Sequence, residues 1–171
     1  GGAPIVLGML VEAAAAEPIV LPHKVRVMTA GAPPPAAILE KVEALGFDVM
    51  QVYGLTETYG HVVQSIWHDE WDELDFAERA RMKARQGVCF PMLETAEIRD
   101  SASGQPLPQD GTAMGEIMLR GNTIMKGYHK DEAATEAAFA CRDFHSDFVA
   151  VQHSTRFLQI RHLINLNTLS G

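Results

Sequence analysis

The sequence predicts an α/β protein in which a partial parallel α/β unit is followed by a smaller β-rich part. Three observations carry that expectation. A strand–loop–helix–strand order runs from Lys24 to Tyr53, the pattern of two parallel strands joined by a crossover helix. Beyond Leu93 the pattern turns to alternating runs parted by a loop of Ser, Gly, Pro and Asp. The 171 residues are 47% hydrophobic and 21% charged, enough apolar surface for a real core and too much for a disordered chain.

Taken in order, Ile5 to Ala15 reads as a mostly apolar, buried helix. The surrounding apolar run is broken by Pro4, Gly8 and Glu12, is too short for a membrane span, and lacks the basic flank of a signal peptide. Lys24 to Thr29 alternates as a strand does and ends at Gly31-Ala32-Pro33-Pro34-Pro35. Proline suits the first turn of a helix, so the run Ala36 to Leu45 reads as a helix closed by Gly46. Phe47 to Tyr53 is a second short strand, followed by a polar turn at Gly54 to Thr58.

The stretch Trp67 to Gln86 is acidic at first and then helical through Phe76 to Met82, with charges that suit a solvated face. Leu93 to Arg99 and Gly115 to Gly121 read as strands on either side of the Ser101 to Gly111 loop. Asp131 to Phe139 reads as a short helix. The eight Met residues are expected to fill core gaps.

The formal net charge of −8 argues against a nucleic-acid binder, which needs a basic face for phosphates. It leaves room for a nucleotide, because one phosphate group needs only local donors. Cys89 and Cys141 fit neither a disulfide framework nor a paired metal motif, and two separate thiols suit a reducing, cytoplasmic interior. His61 and His68 lie seven apart and match no compact zinc spacing, and no Gly-x-Ser-x-Gly elbow occurs.

The most informative stretch is Gln51-Val52-Tyr53-Gly54-Leu55-Thr56-Glu57-Thr58-Tyr59-Gly60. A strand ends in an aromatic that can stack on a base, and a glycine then permits close backbone approach. The Thr56 hydroxyl and the turn amides can reach a phosphate, and Glu57 can hold a hard divalent cation. The same residues also suit a plain turn in which Thr56 or Thr58 caps a following helix.

Tyr53-Gly54-Leu55-Thr56-Glu57-Thr58 resembles the signature of the AMP-forming acyl-CoA synthetases, members of the adenylate-forming superfamily. Three further segments resemble that family in the right order. Gly31-Ala32-Pro33 is similar to its adenine loop. Gly115-Glu116-Ile117-Met118-Leu119-Arg120-Gly121 with Met125-Lys126-Gly127-Tyr128 is similar to its downstream GE-x-x-x-RG and M-x-GY segment. Asp131 to Phe139 is similar to the continuation. The stretch from Trp71 to Gly87 resembles the spacer of bacterial short- and medium-chain members.

The resemblance implies a two-step reaction with ATP, Mg²⁺ and CoA, in which a fatty or other small carboxylic acid becomes an acyl-adenylate and then a CoA thioester. It also implies residue roles. Gly31, Ala32 and Pro33 wall one side of the adenine and Tyr53 the other, with Gln51, Val52 and Gly54 on the nucleotide side. Thr56 binds the α-phosphate and Glu57 ligates Mg²⁺, the two expected catalytic residues. Gly54, Leu55 and His61 lie near the acyl pocket, although His61 also reads as an ordinary loop histidine.

On this resemblance residues 1–140 form the α/β and β-rich part of an AMP-binding domain, and 141–171 a divergent C-terminal stretch of the same domain. The chain reads as an internal fragment of the family's large domain. A Gly/Ser/Thr-rich phosphate loop is expected upstream and a small mobile domain with the catalytic lysine downstream. None of Lys24, Lys41, Lys83, Lys126 and Lys130 sits in a matching context, so the chain alone is expected to be inactive. After Phe144-His145-Ser146 the family continues Gly-Asp, with the Asp on the ribose, whereas this chain has Asp147 one position early. In a strand one position reverses the side chain. Phe157 to Arg161 matches a family strand, but the hinge Asp-Arg and Lys appear as His162, Leu163 and Asn165. The competing readings are a non-catalytic, degenerate nucleotide-binding module and an adenylation domain of peptide synthesis. A piece of a larger sheet domain is also expected to self-associate through exposed edges and apolar patches.

Overall fold

Strands β1 (Val25–Thr29) and β2 (Phe47–Leu55) pair in parallel, Val25 beside Phe47 through Thr29 beside Gln51. In this computed structural model residues 1–32, 34–83, 85–140, 143–154 and 157–163 are described. The crossover is α2 (Ala36–Ala44), so the parallel α/β unit expected from the sequence is present. Strands β3 (Gly60–Gln64) and β4 (Val88–Cys89) extend the sheet in the order β1-β2-β3-β4. A second sheet runs β5 (Leu93–Arg99), β6 (Met114–Gly121), β7 (Phe144–Ser154) and β8 (Phe157–Leu163), each antiparallel to the next. The chain divides into two compact units. One holds Gly1–Gly54 with Val63–Val88, the other Leu55–Val62 with Cys89–Gly171.

In the first unit, helix α1 (Pro4–Ala16) and α2 pack over the parallel pair. The core is Leu7, Leu39, Val42, Phe47 and Val49, with Leu10, Val11, Val25 and Val27 packed against it. Each such side chain contributes roughly 1.5–3 kcal/mol on burial. Helix α2 starts on Pro35, whose carbonyl accepts Ile38 N–H at 2.9 Å and Leu39 N–H at 3.2 Å. It closes where Gly46 N–H reaches the Glu43 carbonyl at 2.9 Å.

Helix α1 corrects the expectation of a buried helix. Leu7 and Ala14 are buried, while Ile5 is 73% and Met9 61% exposed. A helix lying on one layer presses only one stripe into it, here Leu7, Leu10, Val11 and Ala14 at helical spacing. The apolar residues on its other faces meet none of that layer.

The segment Asp69–Glu73 is a 3₁₀ turn, and α3 (Phe76–Lys83) follows. Its charges are not all solvated. Lys83 is ion-paired with Glu43 of α2, and its Nζ lies 4.6 Å from the centre of the Trp67 ring.

The second unit centres on β6, where Glu116, Ile117, Met118 and Leu119 are all buried, so both faces of the strand are covered. Buried Glu116 meets His145 Nδ1 at 2.9 Å. Arg99 joins Glu97 at 2.9 Å and buried Asp143 at 3.1 Å. A Cβ on Gly115 would lie 2.4 Å from the Arg99 carbonyl oxygen, which is why the first position of the GE segment has no side chain. Helix α4 (Glu132–Ala138) is capped by the Asp131 carboxylate, which accepts Ala134 N–H at 3.0 Å.

The altered C-terminal stretch still pairs. Phe144 lies beside Leu119 and His145 beside Met118, and β8 pairs antiparallel with β7. Between His145 and Val149 the β7 register shifts against Glu116 and Met118, a bulge that includes position 147. The Asp147, Arg161, His162 and Leu163 side chains lie outside the described residues, as does Asn165. The expectation for methionine fails at most positions. Met118 is in the core, but Met9, Met28, Met50, Met92 and Met114 are exposed, because a flexible unbranched chain is also tolerated at surfaces.

Candidate functional site

The signature run crosses from the first unit to the second at Gly54–Leu55.

In the first unit, Gln51, Val52 and Tyr53 lie within β2 with exposures of 3%, 4% and 7%. Tyr53 is thus a core side chain. Gln51 is held through its carbonyl, which accepts Ser65 N–H at 2.8 Å. Beside it in register stands Thr29, wholly buried. Neither Thr29 Oγ1 nor Gln51 Oε1 has a hydrogen-bond partner among the described residues. Thr29 ends β1 and Gln51 stands beside it in the middle of β2, and two buried oxygens are costly without a partner. The sequence reading missed Thr29, whose only signal is that it ends a strand. Gly31 and Ala32 are exposed in the loop after β1, and Gly54 is half-buried. Pro33 lies outside the described residues.

In the second unit, Thr56–Thr58 forms one 3₁₀ turn, and no α-helix follows for Thr56 or Thr58 to cap. Thr58 instead ties the turn to itself. Its buried hydroxyl accepts Leu55 N–H at 2.8 Å and shares its one proton between the carbonyls of Gly60 (2.7 Å) and Leu55 (3.0 Å). Tyr59 then takes the left-handed conformation (φ 59°), with its ring 88% exposed. The turn leaves Thr56 exposed and Glu57 and Leu55 half-buried.

Glu57 is fixed at both ends. Its carbonyl accepts Met125 N–H at 2.7 Å, and its Oε1 accepts the Tyr128 hydroxyl at 3.0 Å. Tyr128 is 71 positions away, a separation that leaves no local trace in sequence. His61 meets Phe90 edge-on, centroids 4.9 Å apart, and Phe90 N–H donates to the Val62 carbonyl at 2.7 Å. That contact fixes the ring of His61 without deciding a chemical role.

Residues 1–129 match the family described as AMP-binding enzyme. The chain belongs to that family. The resemblance read from the Tyr53–Thr58 signature is therefore confirmed as AMP-forming acyl-CoA synthetase ancestry. An acetate–CoA ligase of Humulus lupulus is 46% identical over 160 residues, 93% of this chain and 28% of that one. A peroxisomal acetate/butyrate–CoA ligase of Arabidopsis thaliana is 43% identical over 160 residues, again 93% and 28%. The chain thus spans little more than a quarter of these relatives' length. Among solved structures, unliganded O-succinylbenzoate coenzyme A synthetase of Bacillus subtilis superposes with a TM-score of 0.74 at 26% identity. The match covers 93% of this chain and 30% of that one. The same synthetase, solved in complex with ATP and magnesium ion, gives 0.70. Among the described residues no helix is long and apolar enough to cross a membrane.

Proposed function

We propose that this AMP-binding chain is part of a carboxylate–CoA ligase acting on a small aliphatic acid. The carboxylate attacks the α-phosphorus of ATP, expelling pyrophosphate and leaving an acyl-adenylate. The CoA thiol then attacks the acyl carbon, and AMP departs with its phosphate oxygen. The choice of acid leans on the relatives, whose names carry acetate, butyrate and 2-methylpropanoate.

The observation that carries the reading is the Thr56–Thr58 turn. Thr58 spends its hydroxyl on the turn, so Thr56 keeps an exposed hydroxyl for the α-phosphate. Glu57 has one carboxylate oxygen with no hydrogen-bond partner among the described residues. A hard oxygen donor of that kind fits Mg²⁺. Bound there, the ion would neutralise charge on the phosphate oxygens. In the first unit, Gly31, Ala32, Gln51, Val52 and Tyr53 take the adenine side on this reading, with Pro33 beside them in sequence. Gly54, Leu55 and His61 serve the acyl group. Two widely separated thiols, Cys89 and Cys141, favour a cytoplasmic or other reducing compartment.

Isothermal titration calorimetry with ATP, AMP and a non-hydrolysable acyl-adenylate analogue, each with Mg²⁺, tests the assignment. Thr56→Ala should weaken ATP and AMP binding about tenfold, the worth of a hydrogen bond to a charged group. Its side chain is exposed, so the fold should be untouched. Binding unchanged in Thr56→Ala would remove it from the site. No binding in folded wild type would make the family membership ancestry alone.

A further inference from the structure

One contact in the second unit goes beyond the signature residues. The Tyr128 hydroxyl donates to Glu57 Oε1 at 3.0 Å, and Met125 N–H donates to the Glu57 carbonyl at 2.7 Å. Backbone and side chain of Glu57 are thus gripped by the same short segment, Met125 to Tyr128. That segment is itself braced. Tyr128 N–H donates to Thr135 Oγ1 at 2.9 Å, and the Thr135 hydroxyl donates to the Asp131 carbonyl at 2.7 Å. The approach is close. A Cβ on Gly127 would stand 2.5 Å from Thr135 Cγ2, so only glycine lets the segment lie against α4.

We propose that Tyr128 is a positioning residue for Glu57: its phenol occupies Oε1 and holds Oε2 ready for the divalent cation that accompanies the nucleotide. The inference rests on the assignment of Glu57 to that cation. Its physical basis is ordering. A free glutamate must freeze several side-chain torsions before it can ligate an ion, and a carboxylate already held by a hydrogen bond has met that cost. A phenol suits the task better than a lysine or arginine would. It donates a hydrogen bond without neutralising the carboxylate, so the full negative charge stays available to the cation.

The test is a Mg²⁺ titration of ATP binding by calorimetry on the 171-residue protein, with metal-free AMP binding and thermal melting as controls. Tyr128→Phe keeps the ring and removes only the donor. It should raise the Mg²⁺ concentration for half-maximal ATP binding about tenfold, the worth of a hydrogen bond to a charged group. Metal-free AMP affinity should not move, and melting should fall only slightly because the bond is exposed. Thr135→Val, which loosens the brace behind Tyr128, should shift the midpoint the same way by less. In a Glu57→Gln background, Tyr128→Phe should add nothing, because the two residues act as one unit.

A normal Mg²⁺ midpoint in Tyr128→Phe, alongside a shifted one in Glu57→Gln, overturns the positioning role and leaves the cation assignment standing. A Tyr128→Phe effect that persists in the Glu57→Gln background, or that weakens metal-free AMP equally, also overturns it. If Glu57→Gln leaves the Mg²⁺ dependence unchanged, the cation assignment falls, and this proposal with it.

Discussion

Lys83 of α3 is ion-paired with Glu43 of α2 although 40 positions separate them, and the two side chains are only 10% and 16% exposed. The pair joins the spacer helix to the crossover helix of the first unit. Trp67 lies against the ammonium at 4.6 Å, which shields the pair further and adds a cation–π attraction. Removing one partner leaves the other charge poorly solvated. Lys83→Ala should therefore cost about 3 kcal/mol, the low end for breaking a buried pair. The double change Lys83→Met with Glu43→Leu should recover most of that loss, since it leaves no charge behind. Urea denaturation midpoints of the two variants check both statements. Equal losses in the two would mean that shape, not charge, holds α3 in place.

Thr58 offers a sharper contrast between chemistry and size. Its hydroxyl meets three groups of the turn, and its side chain is 1% exposed. Thr58→Val keeps the volume and strands the Leu55 N–H, at a cost of about 2 kcal/mol. Thr58→Ser keeps the hydroxyl and should cost about half of that or less. If the turn sets up Thr56 and Glu57 as proposed, nucleotide affinity should fall in Thr58→Val and survive in Thr58→Ser. Chemical denaturation and calorimetry read the two effects separately.

What the sequence made legible was local. The β1–α2–β2 unit announces itself because the period of the apolar residues switches at punctuation the chain supplies, the proline run before Ala36 and Gly46 after Leu45. The start of α4 is equally plain, since Asp131 caps it. Strands β3 and β4 are not legible. Gly60–Gln64 is too short to show a period, and Val88–Cys89 is two residues long. The candidate site divides the same way. Its residue types stand in one run, but the burial of Tyr53, the orphaned Thr29 oxygen and the Tyr128–Glu57 contact depend on neighbours far off in sequence.

The loop before β6 makes stability depend on acid. Asp110 accepts Thr112 N–H at 2.8 Å and Ala113 N–H at 2.9 Å, and these bonds, Ala113's first, lower its pKa from 3.8 to about 2. A carboxyl whose folded pKa is depressed contributes stability above its unfolded value and loses it as pH falls through the folded one. The melting temperature should therefore decline between about pH 4 and pH 2, in part through this group. Asp100, held by the Ser103 hydroxyl and N–H, is shifted the same way and adds to the slope. Asp110→Asn should flatten the profile in that window, melting below the wild type at neutral pH and close to it near pH 2. An identical pH profile in the variant would remove Asp110 from the account.

Self-association is expected through exposed edges and apolar patches, and α1 carries such a patch. The outer side of β1 is partly occupied already, because Gly2 N–H donates to the Met28 carbonyl at 2.9 Å and Gly2 bridges to Thr29 in parallel. Helix α1, by contrast, presents Ile5 (73% exposed), Val6 (42%) and Met9 (61%). Contiguous apolar surface of this kind drives association because burying it removes it from water. Sedimentation velocity should show the weight-average mass rising with concentration, and Ile5→Lys with Met9→Lys should suppress the rise. Neither side chain contributes to the Leu7–Leu39–Val42 core, so melting at low concentration should be unchanged. If the double variant associates as strongly as the wild type, the contact lies elsewhere, and the Val20 segment, 95% exposed at that residue, becomes the next place to substitute.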